Sequence, residues 1–443
     1  MSQRLRIAMF VGCFPVISET FILRQIAGLL ELGHEVDIYA DTRGELGGAV
    51  QPEVEQYRLL QRATFMDLPP EAAPWEMPVW PLTGRTWTPG ASEPVRNSVR
   101  LARAVPRVLH CLATAPRLTL QALRPSQYGF QAASLSALYR LSHLARLRRH
   151  YDVLHAHFGP NGNSFRFARD LWRAPLIVSF HGYDFSTLPR QQGAGMYRRL
   201  FDAADAVTVN SAFTRARVAR LGCPEAKLHR LPMGLDLGSF PFAARTRHAN
   251  EPVRLLTVAR LVPVKGHEYA LRAVAKVRAR HPEIRYDIVG DGPLRKKLEE
   301  LVIALGLTDA VTLHGARDGA FVRERMSAAH LALLASVSIE DDQEGQGLFL
   351  QEAQACGLPV VATEHGALPE GLVADQSGFL APERNVEMLA QRLEFLLTHP
   401  GVWPEMGRYG RAFVEQHYDI RQLTERLAEL YRATQRSFES GSG

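Results

Sequence analysis

The sequence predicts an α/β protein with two Rossmann-like halves, and two stretches carry that prediction. Residues 5–40 form an apolar run, then apolar positions at helical spacing that end at Gly33, then a second apolar run. The same order begins again at residues 253–258. Repeated β-α-β units are typical of parallel sheets with helices on both faces. At 443 residues the chain is too long for one ordinary domain, so we expect two.

The opening unit places a polar loop between its first strand and its helix. A strand is predicted at residues 5–11, and the loop then runs from Gly12 to Ser18. Ser18 is a favourable N-cap for a helix at residues 19–32, with Glu19 in its first turn. The loop has no G-x-G-x-x-G string, so we do not expect a dinucleotide in this half.

Histidines follow two further strands of the first half. His155 and His157 lie in a predicted strand at residues 152–157, and His181 follows the strand at residues 176–180, with Asp184 just beyond it. Functional residues of open α/β sheets cluster at the carboxyl ends of strands. A single histidine in a strand is more often structural than catalytic, so His157 is expected either to line a cleft or to hold a loop.

A region from about residue 42 to residue 150 interrupts the alternation. Residues 42–94 are rich in proline and tryptophan, which predicts a partly irregular insertion. Residues 94–151 hold ten arginines and no acidic residue, with several arginines at helical spacing. Such a basic amphipathic surface is suited to binding an anionic membrane. A solvated pair of basic helices packed on the first domain would explain the same sequence pattern equally well. No nucleic-acid-binding motif accompanies the charge, so nucleic acid is not an expected partner.

The second half begins after a linker. A glycine-containing turn at residues 234–236 precedes a linker-like segment at residues 238–252, so the boundary is placed near residue 240. Arg260 and Lys265 stand just past the first strand of this half. A guanidinium fork and an ammonium point charge both suit a diphosphate.

The most informative stretch is residues 336–370. A short apolar strand leads into an acidic, glycine-rich loop with Glu344 and Gly347, and a helix is predicted to open near Leu348. The bare N–H groups and dipole of such a helix N-terminus favour an anion. Glu344 and Glu352 flank this loop. Ionised carboxylates accept hydrogen bonds and repel phosphate, so both are expected to bind hydroxyl-rich parts of a ligand.

The string E-G-x-G-L-x-x-x-E-A-x-A-C-G-x-P-V-V-A-T at residues 344–363 resembles the donor-site signature of retaining GT-B glycosyltransferases of the family-4 type, in their exopolysaccharide and colanic-acid branch. The strings R-L-x-x-x-K-G and S-F-H-G-Y-D are similar to the same family. The resemblance implies an acceptor domain at residues 1–240, a nucleotide-sugar domain at 241–418, and a helix at 419–436 that returns to the first domain across the cleft. Residues 437–443 are expected to be disordered.

The resemblance also implies an activity and residue roles. The donor would be a UDP- or GDP-linked sugar, and the acceptor a glycan or a polyprenyl-diphosphate-linked glycan. His181 would contact the sugar near its anomeric carbon, Arg260 and Lys265 the leaving diphosphate, Glu344 the sugar hydroxyls and Glu352 the ribose. Other donor-site positions are Gly290, Gly292, His314, Gly345, Gly347 and Leu348. The acceptor-side positions are Gly12, Ser18, Glu19, His157 and Asp184. Many family members carry a Gly-Gly pair in the first loop, which this sequence lacks.

Composition restricts cofactors and location. The four cysteines are far apart without metal-ligand spacing, which favours reduced thiols in a cytoplasm-like compartment. No apolar run reaches the roughly 18 residues of a membrane span, and no signal peptide is predicted. No D-x-D string ends a strand, and Asp341 and Asp342 are interpreted as solvated loop charge. We therefore expect neither a metal nor another cofactor. The expected location is the cytoplasm, or the cytoplasmic face of the inner membrane if the basic segment docks there.

Two other functions fit the same architecture. A sugar-nucleotide epimerase would need acid and base groups aimed at the sugar and no separate acceptor, whereas the S-F-H-G-Y-D loop and the basic segment favour a transferase. A non-catalytic nucleotide-sugar- or RNA-binding protein is disfavoured because Arg260, Lys265, Glu344 and Glu352 occur together.

Overall fold

The computed structural model describes residues 3–16, 19–44, 51–66, 68, 97–147, 149–248 and 251–441. Within these ranges the chain forms two parallel sheets, of seven and six strands. The first sheet contains β1 Arg6–Phe14, β2 Glu35–Arg43, β3 Ala63–Phe65, β4 Val153–His157, β5 Leu176–Phe180, β6 Ala206–Val209 and β7 Leu228–Arg230. The second contains β8 Arg254–Val258, β9 Arg285–Val289, β10 Val311–Gly315, β11 Leu331–Leu334, β12 Val360–Thr363 and β13 Gly378–Ala381. The prediction of two Rossmann-like halves is confirmed.

Helices cover both faces of each sheet. Those before the second sheet are α1 Thr20–Glu31, α2 Pro52–Gln56, α3 Asn97–Thr114, α4 Pro116–Ala122, α5 Pro125–Tyr128, α6 Phe130–Ala133, α7 Ser136–Leu144, α8 Gly159–Phe165, α9 Ala168–Trp172, α10 Thr187–Gln192, α11 Arg198–Ala203 and α12 Ala212–Arg220. The later ones are α13 His267–Arg278, α14 Arg295–Ala304, α15 Gly319–Ala328, α16 Leu348–Ala355, α17 Val386–Thr398, α18 Trp403–His417 and α19 Ile420–Gly441. Central strands such as β5 are buried along their whole length, which explains their continuous apolar sequences.

The strand order of each sheet reverses once. The first sheet has the order β3-β2-β1-β4-β5-β6-β7, and the second has the order β10-β9-β8-β11-β12-β13. The reversals therefore lie between β1 and β4 and between β8 and β11. Loops that leave the carboxyl ends of the two strands at a reversal diverge and open a crevice, which is where ligands bind in such sheets.

The last helix joins the two domains. A short bridge between Leu235 and Asp419 marks the crossing point. From there α19 packs on the first domain, where Leu427 and Tyr431 belong to the same apolar core as β1 and α1. None of the described helices combines the length and the apolar character that spanning a membrane requires.

Three boundaries differ from the sequence predictions. The first strand continues to Phe14 and so includes Gly12, and α1 begins at Thr20 with Glu19 at the N-cap position. Ser18, the predicted N-cap, lies outside the described residues. The predicted insertion contributes β3 to the sheet edge, where Ala63 pairs with Ile38. The segment expected to be disordered is helical as far as Gly441.

Candidate active site

The candidate donor site lies at the strand reversal of the second sheet. Arg260 and Lys265 follow β8, and Glu344 follows β11, its neighbour in the sheet. Gly266 holds the first of these loops against the end of β11. Its φ is +61°, and a Cβ atom there would lie 1.8 Å from the carbonyl oxygen of Ala335, so the position requires glycine. The topology and this close approach bring Lys265 to Glu344.

Lys265 and Glu344 form a direct ion pair. The ammonium group contacts Oε1 of Glu344, and the two side chains are 16% and 12% exposed. Burial by itself would raise the pKa of Glu344, but Lys265, with a smaller contribution from Arg260, outweighs it and lowers the pKa below its usual value. The hydroxyl of Ser336 also donates to Oε1 of Glu344 at 3.3 Å. Glu344 is therefore an ionised carboxylate at neutral pH.

Asp342 was wrongly interpreted as solvated loop charge. It is half-buried, and burial together with the neighbouring Glu344 raises the pKa of its carboxyl group, which Arg260 and Lys265 oppose. Asp341 is exposed, as predicted, and lies 3.7 Å from Arg217 of the first domain. Sequence spacing could not separate the two aspartates, because the loop turns back on itself between Ile339 and Asp342.

The glycine loop ends where α16 begins. Gly347 takes the N-cap position with φ +78°, and Leu348 is the first helical residue, as the sequence predicted. Glu352 lies one turn further along α16. Its nearest charged partner is Arg24 of α1, with 3.8 Å between Oε1 and Nη1, and burial raises the pKa of Glu352 while Arg24 lowers it. Glu352 therefore faces the first domain.

Three further positions that the resemblance implies for the donor site, Gly290, Gly292 and His314, lie after β9 and in β10. Gly290 and Gly292 pack against the carbonyl oxygens of Ala259 and Leu261, which a Cβ atom would approach to 1.9 and 2.6 Å. Their absent side chains thus let two loops of the protein meet. His314 lies in β10 with Nε2 2.6 Å from Oδ1 of Asp287.

On the other side of the cleft, His181 and Asp184 form one structured loop. Oδ1 of Asp184 accepts hydrogen bonds from the backbone N–H groups of His181 at 3.1 Å and Gly182 at 2.8 Å. Its Oδ2 accepts a bond from the N–H group of Gly159 at 3.1 Å. Asp184 therefore fixes the backbone of the loop that presents His181.

Three histidines of the first domain lie side by side, with ring centroids 4.6 Å apart for His155 and His157 and 5.3 Å apart for His157 and His181. His157 Nδ1 lies 3.0 Å from His181 Nε2, and His155 bonds Tyr431 of α19 at 2.6 Å. Burial, reinforced by His155, lowers the pKa of His181 to about 3, so its ring is neutral at physiological pH. His181 Nδ1 is buried and has no hydrogen-bond partner among the described residues. His157 is fully buried, which favours the loop-holding role over cleft lining.

The start of α1 lies beside His181 in the first domain. The ring of Phe21 lies 4.6 Å from the ring of His181, measured between centroids. Glu19 lies two residues before Phe21, at the N-cap position, and burial raises the pKa of its carboxyl group to about 8. Gly12 lies beside Asn161, whose Oδ1 would be 3.2 Å from a Cβ atom at position 12. Sequence analysis missed Phe21, because an apolar residue at helical spacing is ordinarily a core residue.

The two domains meet at the Glu344 loop itself. A Cβ atom on Gly345 would lie 2.6 Å from the carbonyl oxygen of His181. Gln346 bonds both backbone groups of Met233, at 2.8 and 2.9 Å. Glu370 accepts hydrogen bonds from the first two N–H groups of α12 at 2.8 and 2.7 Å. Nothing in the sequence signalled Gln346 or Glu370, because polar side chains that bridge domains have no local pattern.

Comparison with known proteins then identifies the family. The family described as Glycosyl transferases group 1 matches residues 241–413, and the Glycosyl transferase 4-like domain matches residues 18–234. The chain is 30% identical over 435 residues to the putative colanic acid biosynthesis glycosyltransferase WcaL of Escherichia coli K12, covering 97% of this chain and 100% of that protein. The chain belongs to the group-1 glycosyltransferases of the family-4 type. The resemblance drawn from the sequence is confirmed, and this protein is an enzyme.

Two further comparisons add a second relative and a solved structure of similar fold. Over 308 residues the glycosyltransferase is 32% identical to the GDP-mannose-dependent alpha-(1-6)-phosphatidylinositol monomannoside mannosyltransferase of Mycolicibacterium smegmatis, covering 65% of this chain and 79% of the relative. The crystal structure of Anabaena HepE in complex with UDP and glucose superposes with a TM-score of 0.67 at 16% identity, covering 97% of this chain and 100% of that one. This likeness in fold confirms the predicted GT-B architecture.

Proposed function

We propose that this glycosyltransferase moves a sugar from a UDP- or GDP-linked donor to a glycan acceptor, with retention of anomeric configuration and without a metal, during assembly of a bacterial exopolysaccharide or other surface polysaccharide. The observation that carries the proposal is the buried Lys265–Glu344 pair at the strand reversal of the second sheet. The colanic acid biosynthesis named for WcaL and the UDP and glucose of the HepE complex support a polysaccharide product and a nucleotide-sugar donor.

The charges on the second domain fit the demands of sugar transfer. Breaking the sugar–phosphate bond places negative charge on the departing diphosphate and positive character on the sugar. Arg260, Lys265 and the N-terminus of α16 would stabilise the diphosphate. Glu344 would accept hydrogen bonds from the sugar hydroxyls. Because Lys265 and Glu344 touch, the junction between phosphate and sugar would lie at their point of contact.

The two other donor contacts come from groups with unused hydrogen-bonding capacity. The 3.8 Å between Glu352 and Arg24 is longer than a hydrogen bond, so the oxygens of Glu352 remain available to the ribose hydroxyls. His181 Nδ1 has no partner among the described residues and would meet a hydroxyl of the donor sugar. Since fixed cations supply the positive charge, we expect EDTA to leave the transfer rate unchanged.

The decisive experiment pairs a donor screen with one substitution. UDP-, GDP- and ADP-sugars are ranked by the rise in melting temperature that each causes. Release of nucleoside diphosphate from the best donor is then measured for the wild type, for Glu344→Gln and for the control Glu387→Gln. Glu387 lies in the same domain and pairs with Lys276 on the surface. Wild-type rates in the Glu344 variant would contradict the proposal.

The acceptor side suggests a lipid-linked acceptor met at the cytoplasmic face of the inner membrane. Exposed apolar side chains gather on the helices of the basic segment, with exposures between 40 and 63%: Val105, Leu109 and Leu112 on α3, Leu120 on α4 and Phe130 on α6. Arg103, Arg117 and Arg124 are exposed nearby in sequence, and residues 97–147 contain no acidic residue. Exposed apolar groups on helices that also carry exposed arginines suit a surface of anionic lipid.

Vesicle binding tests this surface. The wild type should sediment with vesicles containing phosphatidylglycerol at low salt and should be released at high salt. Leu109→Glu should weaken the binding, whereas Ile303→Glu, at an equally exposed apolar position of the second domain, should not. Equal binding by both variants, or no binding by the wild type, would reject membrane docking.

A further inference from the structure

A buried histidine–glutamate pair holds the loop that carries Glu344. His365 is fully buried, and its Nδ1 lies 2.8 Å from Oε1 of Glu383. Its Nε2 lies 3.0 Å from the backbone nitrogen of Glu344. A backbone N–H can only donate, so Nε2 must be the acceptor and the ring proton must sit on Nδ1, where it is donated to Glu383. The geometry therefore selects one neutral tautomer of His365.

Glu383 also fixes the opposite end of the same loop. Ser338 donates its backbone N–H to Oε2 at 2.7 Å and its hydroxyl to Oε1 at 2.8 Å. Burial would raise the pKa of Glu383, but the bonds from Ser338 and His365 outweigh it and lower the pKa. Glu383 is thus an ionised acceptor at neutral pH. A carboxylate has enough acceptor sites for all of these donors, whereas an amide in its place has a single oxygen.

The backbone carbonyl of Glu344 is held by the same segment. Ala367 donates its N–H to that carbonyl at 3.0 Å. Gly366 packs so closely that a Cβ atom would lie 2.5 Å from the same oxygen. Residues 365–367 therefore fix both polar backbone groups of Glu344. The direction in which its side chain leaves the loop depends on them.

We propose that His365 and Glu383 are positioning residues for the transfer reaction. They fix the backbone of Glu344 so that its carboxylate meets Lys265 and the donor sugar, and neither belongs to the string at residues 344–363 that resembles the donor-site signature. This inference rests on the proposed function, in which Glu344 contacts the donor. Displacing such a group by about 1 Å can cost about 100-fold in rate.

The chain contains a matched control at the opposite edge of the same sheet. His330 Nδ1 accepts a hydrogen bond from the backbone N–H of Arg254 at 3.1 Å, and Nε2 lies 3.7 Å from Glu251. His330 is also buried, 7% exposed. It stands at the amino ends of β8 and β11, whereas the donor site is at their carboxyl ends. His330 therefore makes hydrogen bonds similar to those of His365 but lies far from the donor site.

The test compares His365→Ala, His365→Gln, Glu383→Gln and the control His330→Gln. Turnover and donor KM are measured with the best donor of the screen, and the Kd of UDP and of GDP by calorimetry. We expect His365→Ala and Glu383→Gln to lower kcat by about 10- to 100-fold. Donor KM and nucleotide Kd should stay within about threefold, because Arg260 and Lys265 are untouched. His365→Gln should recover part of kcat, because its amide oxygen is an acceptor for the Glu344 N–H.

Several outcomes would overturn the inference. They are wild-type kcat in Glu383→Gln, an equal loss in His330→Gln, or a rise in KM with kcat unchanged. If Glu344→Gln alone loses activity, the proposed function stands and the positioning role fails; if Glu344→Gln keeps full activity, the proposed function itself fails. A crystal structure of Glu383→Gln gives a readout independent of turnover. Residues 338–344 should be displaced, and an unmoved loop would contradict the inference.

Discussion

Gly345→Ala isolates the contact between the two domains. The new methyl group would lie 2.6 Å from the carbonyl oxygen of His181 and 3.1 Å from Nδ2 of Asn210, where ordinary contacts begin at 3.4 Å. The domains would have to separate by roughly 0.8 Å to relieve the closer contact, and overpacking of this kind costs about 1–3 kcal/mol. That energy corresponds to a fall of about 5- to 150-fold in the ratio of closed to open molecules.

Nucleotide affinity serves as the internal reference for this variant. Arg260, Lys265 and the N-terminus of α16 all belong to the second domain, so the Kd of UDP or GDP should change by less than about twofold. Turnover at saturating donor should fall by tenfold or more. Gly401→Ala is the control, because a Cβ atom there has no neighbour within 4 Å. Unchanged turnover, or a loss of nucleotide affinity as large as the loss of turnover, would refute the reasoning.

Three further predictions follow from single contacts. Glu370→Ala removes the carboxylate that caps α12 across the cleft, a group worth about 0.5–2 kcal/mol; small-angle scattering should show a larger radius of gyration than for Glu387→Ala. Lys265→Met leaves Glu344 buried without its partner, and kcat should fall by about two decades. In the wild type the lowered pKa of Glu344 contributes to the free energy of unfolding in full above about pH 4.5, and this contribution is lost at lower pH. Urea unfolding should therefore show a smaller loss of stability on acidification in Lys265→Met than in the wild type. Burial raises the pKa of Glu19 from 4.5 to about 8, so between these pH values the folded state binds a proton that the unfolded state does not. The free energy of unfolding should therefore fall as the pH rises from 4.5 to 8. In Glu19→Gln this fall should be smaller, which unfolding curves at pH 5 and pH 9 would measure.

Sequence reasoning placed Arg260, Lys265 and Glu344 at one edge of the second sheet because their positions follow from topology. Each lies in a loop that follows a predicted strand, and strands of one parallel sheet end at the same edge. The prediction therefore needed the element order and no long-range geometry. The start of α16 at Leu348 was equally local and was predicted correctly.

The failures of sequence reasoning share a different cause. Arg24 faces Glu352 because of how the two domains are oriented, and no spacing in either segment encodes that orientation. Strand β3 has three residues, too few for a periodic pattern. The helix continues beyond Arg436 because later residues still pack on the first domain, where the Phe438 ring lies 4.8 Å from the Arg169 guanidinium. Each of these features depends on contacts between segments far apart in sequence.

The division of the site between two domains bears on how a glycosyltransferase limits hydrolysis of its donor by water. The proposed donor contacts of Arg260, Lys265 and Glu344 belong to the second domain, whereas His181 belongs to the first. An open molecule would hold the nucleotide sugar without the imidazole, and the Glu344 loop would lack its neighbour at Gly345. Under the proposed function, the complete constellation would exist only when the cleft is closed and water is displaced from it. A ligand shifts such an equilibrium only by its differential affinity for the two states. An acceptor bound on the first domain therefore favours transfer over hydrolysis to the extent that it binds the closed form more tightly than the open form. Acceptor analogues should accordingly raise the fraction of closed molecules more in the wild type than in Gly345→Ala.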